Sequence, residues 1–235
     1  MIKNLLQNTT QLAQAIWAHY LSPQLASGAY AAVDATCGRG NDTVWLAARC
    51  GRVYAFDIQP DAIASTREAL QAADIADAQI LSQAQASQLA ADVQDVQALP
   101  QIQAQADNHA NLARYVSEPI GLIVFNLGYL PGGDKERATQ AETTLASLQA
   151  ALDKLTVGGL LSVTMYWGHE AGKTERAAVL RWAAALDRST YHCVHTDMCN
   201  QPNCPPEILF VTRKKSRGSL SAQDSRESDG NEHAR

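Results

Sequence analysis

The chain has 235 residues, 46% of them hydrophobic, with a formal net charge of −5. That length supports one sizeable core. Residues 213–235 carry six Lys/Arg against four Asp/Glu, leaving a net charge of about −7 on the rest, which excludes a wholly basic nucleic-acid coat but allows a local patch for a small piece of RNA.

Residues 9–21 place Leu12, Ile16, Trp17 and Tyr20 on one face, predicting a helix with Thr9 or Thr10 as its cap. YAAVDAT (30–36) reads as a short strand running into Cys-Gly-Arg-Gly-Asn, with a helix over 42–49 behind it. RVYAFDI (52–58) is a second strand, and Pro60 suits the first turn of a helix over 60–73. Residues 74–106 are rich in Ala, Gln and Asp and read in part as an insertion, with strands at 78–81 and 101–106 around a helix at 87–96. Then follow a strand IGLIVFNL (120–127), a helix over 139–155, a strand GGLLSVTMYW (158–167) and a helix over 173–186. STYHCVHTDM (189–198) and EILFVTR (207–213) form a final antiparallel pair around the loop NQPNCPP (200–206). The Ser-, Arg-, Asp- and Glu-rich tail, 215–235, is expected to be disordered, leaving 1–214 as one domain.

The N-terminus has no secretory pattern, and no stretch reaches the roughly 20 apolar residues that span a bilayer. Five cysteines without a CxxC pair fit a reducing, cytoplasmic setting. Cys199 and Cys204 beside His192 and His195 match no zinc spacing, so no metal is expected.

Alternating strands and helices predict an α/β fold whose parallel sheet is covered on both faces. Such sheets bind ligands at the carboxyl ends of their strands, where Asp34, Asp57 and Asn126 fall. In VDATCGRGNDT (33–43), Gly38 and Gly40 allow a tight turn and close approach to a ligand. A plain strand-to-helix turn is the bland alternative. Asp57, ending the next strand, is placed to accept hydrogen bonds from two ribose hydroxyls. A dinucleotide fingerprint would need a third glycine where Thr43 stands, and Asp42 occupies the position where pyrophosphate should dock. S-adenosylmethionine carries no phosphate, and its ammonium and sulfonium are cationic, so Asp34 and Asp42 favour it.

DATCGRGNDT (34–43), AFDIQ (55–59) and above all NLGYLPGGDK (126–135) resemble the YtqB-like family of class I methyltransferases, which includes a tRNA 5-aminomethyl-2-thiouridine methyltransferase. The resemblance continues through AETTL (141–145), GGLLSVTMYWGHEAGK (158–173) and NQPNCPP (200–206). It implies a Rossmann-like class I fold, with a mostly parallel seven-stranded sheet ending in an antiparallel pair. The cofactor set carried over is Asp34, Thr36, Gly38, Gly40, Asn41, Asp42, Asp57, Ile58, Asp107 and Asn126. Two departures stand out: Tyr166-Trp167-Gly168-His169 replaces the family's Tyr-Pro-Gly-His, and the 74–106 region is longer than usual. The family's Asp-Ser-His near the end of the third strand corresponds to Asp107-Asn108-His109.

Asn126-Leu-Gly-Tyr129 fits the Asn-x-x-aromatic spacing of methyltransferases that modify amino groups. The Asn126 carbonyl would accept from the amine and Tyr129 would stack on the ring, with Gly128 keeping the turn open. The alternative is that Asn126 caps a turn and Tyr129 fills core. An alkyl amine has a free pKa of about 10.4 and must lose its proton before it attacks. Asp107, His109, Tyr129 and His169 are the candidate bases, with Asp107 alternatively meeting the adenine amino group. Lys135 would meet an RNA phosphate, or else forms a solvated loop pair with Asp134. Tyr166, Trp167 and His169 would line a nucleotide pocket, or else form core. The resemblance implies transfer to the aminomethyl nitrogen of a wobble uridine in a tRNA anticodon loop, by a homodimer. Methylation of rRNA or of a small amine, and a non-catalytic cofactor-binding module, are the competing readings.

Overall fold

The computed structural model describes residues 6, 8–21, 31–75, 101–128 and 141–214. Seven strands build one sheet: β1 Ala31–Asp34, β2 Arg52–Asp57, β3 Gln101–Ala106, β4 Ile120–Leu127, β5 Leu155–Met165, β6 Tyr191–Thr196 and β7 Glu207–Arg213. The order is β3-β2-β1-β4-β5-β7-β6, parallel through β5, with β7 antiparallel to both β5 and β6. The helices are α1 Thr9–Leu21, α2 Asn41–Ala47, α3 Pro60–Ala72, the short α4 Leu112–Tyr115, α5 Ala141–Lys154 and α6 Glu170–Ala185. The third sheet strand is thus 101–106, while the strand and helix expected at 78–81 and 87–96, and the tail, lie outside the described residues. No described helix is long and apolar enough to cross a membrane.

Strand alternation sorts the core into two layers. Along β4, Leu122 and Val124 face Trp17, Leu46 and Leu70, while Ile123 and Phe125 face Leu148, Leu152 and Val179. Every residue of β1 is buried, as a strand covered on both faces requires. β1 and β4 are neighbours although the chain visits β2 and β3 between them. Their carboxyl ends therefore form the switch point where ligands enter such sheets.

Three element ends differ from the sequence reading. α1 is capped by Asn8, whose side chain accepts from Gln11 N at 3.0 Å, and not by Thr9 or Thr10. β5 begins at Leu155, three residues before Gly158, because a shift in register beside Ile120 lets the chain pass through Gly158 at φ +79° and remain in the sheet. α6 begins at Glu170 because His169 caps it, Nδ1 accepting from Gly172 N at 3.1 Å.

Trp17 anchors α1 to the sheet. It is 1% exposed and stands edge-on to Trp45 of α2, ring centres 5.6 Å apart. Its Nε1 has no hydrogen-bond partner among the described residues. Trp17→Ala is expected to cost about 3–5 kcal/mol in urea unfolding, and Trp17→Phe less than half of that loss.

Candidate active site at the β1–β4 switch point

The glycine loop is stitched to the strand ends by backbone bonds. Ala35 N donates to Val124 O at 2.9 Å, Cys37 N to Phe56 O at 2.8 Å, and Gly40 N to Cys37 O at 2.7 Å. Gly40 has φ +81°, and a Cβ there would lie 2.8 Å from the Thr66 Cα of α3. Both the backbone conformation and the helix packing therefore demand glycine.

Asp34 ends β1 with no exposure at all. Thr43 Oγ1 donates to it at 2.6 Å and Thr36 N at 3.3 Å. Burial, then the nearby Asp42 charge, push its pKa up to about 7. Thr36 and Thr43 stand between the buried Asp34 carboxyl and the surface. Asp57 is half-buried. Its Oδ2 accepts from Gly38 N at 3.0 Å and its Oδ1 from Gln59 N at 2.9 Å. Burial raises its pKa and those backbone donors oppose the rise. Each oxygen keeps acceptor capacity. Ile58, next along, is 62% exposed, an apolar side chain left at the mouth.

Asp42 lies in the first turn of α2 and is 9% exposed. Gln14 Nε2 of α1 donates to Oδ1 at 3.0 Å, and Asn126 Nδ2 donates to Oδ2 at 2.9 Å. Asn126 N in turn donates to Thr36 Oγ1 at 2.6 Å. The structure thus gathers Asp34, Thr36, Gly38, Gly40, Asn41, Asp42, Asp57 and Asn126 around one loop. The turn at Gly128 has φ +149°, and a Cβ there would stand 3.0 Å from that of Tyr166. Tyr166 N donates to Leu127 O at 2.9 Å, and its hydroxyl hydrogen-bonds with Thr10. Tyr166 therefore lies beside the β4 turn, 41% exposed, outside the core.

After β3, Asp107 accepts from Asn108 N at 2.7 Å, Asn111 Nδ2 at 3.0 Å and Tyr115 Oη at 2.7 Å. The Tyr115 bond comes first among the causes that lower its pKa, ahead of the Asn111 and Asn108 bonds. His109 packs edge-on to Phe125, ring centres 5.6 Å apart, and hydrogen-bonds with the Ala35 backbone. Its Nε2 is buried without a hydrogen-bond partner among the described residues. Burial lowers its pKa, so the ring is neutral at pH 7.

His169 acts as the cap of α6, with its Nδ1 committed to Gly172 N. Trp167 is tied down by Nε1 donating to Pro205 O at 3.0 Å, with the Arg176 guanidinium 4.9 Å from its ring centre. Tyr129 and Lys135 lie outside the described residues. Gln14, Thr43 and Tyr115 were not read as site residues from the sequence. Gln14 carried a faint signal: it precedes Trp17 by three residues and so borders the buried face of its helix.

Gly40→Ala is expected to lower stability by more than about 1 kcal/mol, since left-handed strain adds to the clash with α3. Asp34 has a sign that titration can check. Its folded pKa of about 7 exceeds the ordinary 3.8. The bound proton therefore stabilises the fold fully below pH 3.8, and that contribution is lost as pH rises to about 7. The stability of Asp34→Asn relative to wild type should rise between those limits, read by denaturant midpoints across the range.

The acidic, phosphate-hostile loop fits a nucleoside with a cationic tail, and comparison with known proteins agrees. Residues 53–212 match the family described as "Putative rRNA methylase". The chain is 32% identical, over 88% of its length and 70% of the relative's, to the chloroplastic tRNA (mnm(5)s(2)U34)-methyltransferase of Arabidopsis thaliana. A solved Clostridium thermocellum protein of the family's own description superposes with TM-score 0.71 at 32% identity, covering 91% of this chain and 99% of that one. A Streptococcus mutans protein described as a methyltransferase, solved with SAH, gives TM-score 0.68 at 33% identity, with 91% and 99% covered. The chain belongs to this rRNA methylase family and is a class I S-adenosylmethionine-dependent methyltransferase.

Proposed function

We propose that the enzyme methylates the aminomethyl nitrogen of 5-aminomethyl-(2-thio)uridine at the wobble position of tRNA. The observation that carries the reading is the Asn126 amide. Its Nδ2 donates to Asp42, which turns the carbonyl oxygen away from that carboxylate, and in this reading the oxygen meets a donor at the switch point. The Arabidopsis relative, named for mnm(5)s(2)U34, the methylated counterpart of this nucleoside, supports the substrate class.

When bound, S-adenosylmethionine supplies a methyl group on a sulfonium. The side chains present fit it. Asp57 would take the ribose hydroxyls, exposed Ile58 would cover the adenine, and Asp107 keeps room on Oδ2 for an amino group. Asp42 at the start of α2 would repel a phosphate in the same place. Asn126 accepts one N–H of the substrate amine, which directs the nitrogen lone pair. His109, whose buried Nε2 has no hydrogen-bond partner among the described residues, is the candidate base for the amine's proton. Tyr166 and Tyr129 would hold the flipped base, which is easiest to unstack in a single-stranded anticodon loop.

The family description favours a second reading, methylation of rRNA. A single assay separates them. Protein and labelled S-adenosylmethionine are incubated with tRNA bearing 5-aminomethyl-2-thiouridine or with rRNA, and the digested nucleosides are weighed by mass spectrometry. Label is expected in the methylaminomethyl nucleoside. Label in rRNA alone would overturn the proposal. Asp57→Ala should weaken SAH binding about 10–100-fold, from lost charge-assisted hydrogen bonds. Asn126→Ala should lower kcat by about 100-fold or more with SAH affinity retained.

A further inference from the structure

We propose that Asp42 and Gln14 are positioning residues for methyl transfer, acting on the orientation and polarity of the Asn126 amide. The inference rests on reading Asn126 as the group that meets the substrate amine. An asparagine amide presents either oxygen or nitrogen to a site, and only the carbonyl accepts from an amine. Asp42 is acceptor-only when ionised. At 2.9 Å its Oδ2 can face only the Asn126 Nδ2, which turns Oδ1 to the opposite side. The Asn126 backbone is pinned independently by Thr36, at 2.6 Å. What orients Asp42 comes from outside the sheet repeat. Gln14 of α1 donates to its other oxygen at 3.0 Å. The three side chains form one line, Gln14 to Asp42 to Asn126, across elements 28 and 84 residues apart in sequence.

The carboxylate also does electrostatic work. A charged acceptor on Nδ2 polarises the amide and makes Oδ1 a stronger acceptor. In the reaction the amine lone pair forms the new N–C bond, while the S–C bonding pair stays on sulfur. The positive charge passes to nitrogen, and the extra N–H proton then leaves to base or solvent. An Oδ1 backed by a carboxylate stabilises that charge as it develops.

The test compares wild type, Gln14→Leu, Gln14→Glu and Asp42→Asn by three measurements. The Asn126 side-chain amide signals, assigned through their loss in Asn126→Ser, are followed by NMR. SAH affinity is measured by calorimetry. The values of kcat and KM are measured on tRNA carrying 5-aminomethyl-2-thiouridine. In wild type, one Asn126 amide proton should be shifted downfield by the carboxylate. Gln14→Leu should move that signal and lower kcat about tenfold, one hydrogen bond's worth, with SAH affinity and KM within about twofold. Gln14→Glu, which sets a second carboxylate against Asp42, should lower kcat further. Asp42→Asn should abolish the shift. An unchanged amide signal in all three variants overturns the proposal. So does Asp42→Asn losing SAH affinity more than tenfold with full kcat at saturating cofactor, since Asp42 would then be a cofactor ligand. Gln14 is partly buried, and its variants are expected to fold even if Asp42→Asn does not. If wild type leaves that tRNA unmethylated, the substrate reading fails while the NMR and SAH measurements still decide this one.

Discussion

A carboxylate sealed from water holds this site together. Asp34 ends the most enclosed strand of the sheet, and the Thr43 hydroxyl and the Thr36 amide converge on it. Removing a charge from water is costly unless hydrogen bonds replace the lost solvation. Those bonds are available only when the glycine loop is folded back over the strand end and α2 starts where it does. Asp34 therefore ties the loop conformation to the sheet. Thr36, fixed by that turn, takes the backbone N–H of Asn126 on the neighbouring strand. One buried group thus sets the relation between β1, α2 and β4, and with it the switch point.

The same acidity selects the ligand class. Asp34, Asp42 and Asp57 lie within one loop's reach, and burial raises the pKa of both Asp34 and Asp57. A phosphate would meet like charge at the start of α2, where helix geometry otherwise invites an anion. A cationic tail relieves that repulsion. A fold shared with dinucleotide enzymes is here turned towards S-adenosylmethionine by a few carboxylates.

The antiparallel end of the sheet shapes the other wall. Glu207 opens β7 level with Met165, the last residue of β5, and is 3% exposed. Arg176 Nε and His195 Nε2 both lie 2.7 Å from its Oε2. Arg176 in turn covers Trp167, and Trp167 holds the Pro205 carbonyl. Buried ion pairs of this kind add little net stability but fix geometry. Here they fix the chain that leaves β5 through Tyr166 and closes against Gly128.

The amino-acid sequence alone determined the strand–helix alternation, the glycine loop, the acidic ends of β1 and β2, and Asn126 at the end of β4. Those features are local: apolar runs, turn residues and strand-end positions are written in contiguous stretches. It also carried the family through NLGYLPGGDK. Which carboxylate does what was not local. Asp34 and Asp42 read alike as partners for a cationic ligand, yet burial closes one inside the loop and points the other at Asn126. That His169 caps a helix was not legible either, because its ring meets an amide three residues on only once that helix has formed. Gln14 looked like one polar residue on an N-terminal helix. Only the packing of α1 over the sheet brings it to Asp42, 28 residues away. Hydrogen bonds between distant segments depend on where the folded core places them, and that placement is decided by tertiary packing.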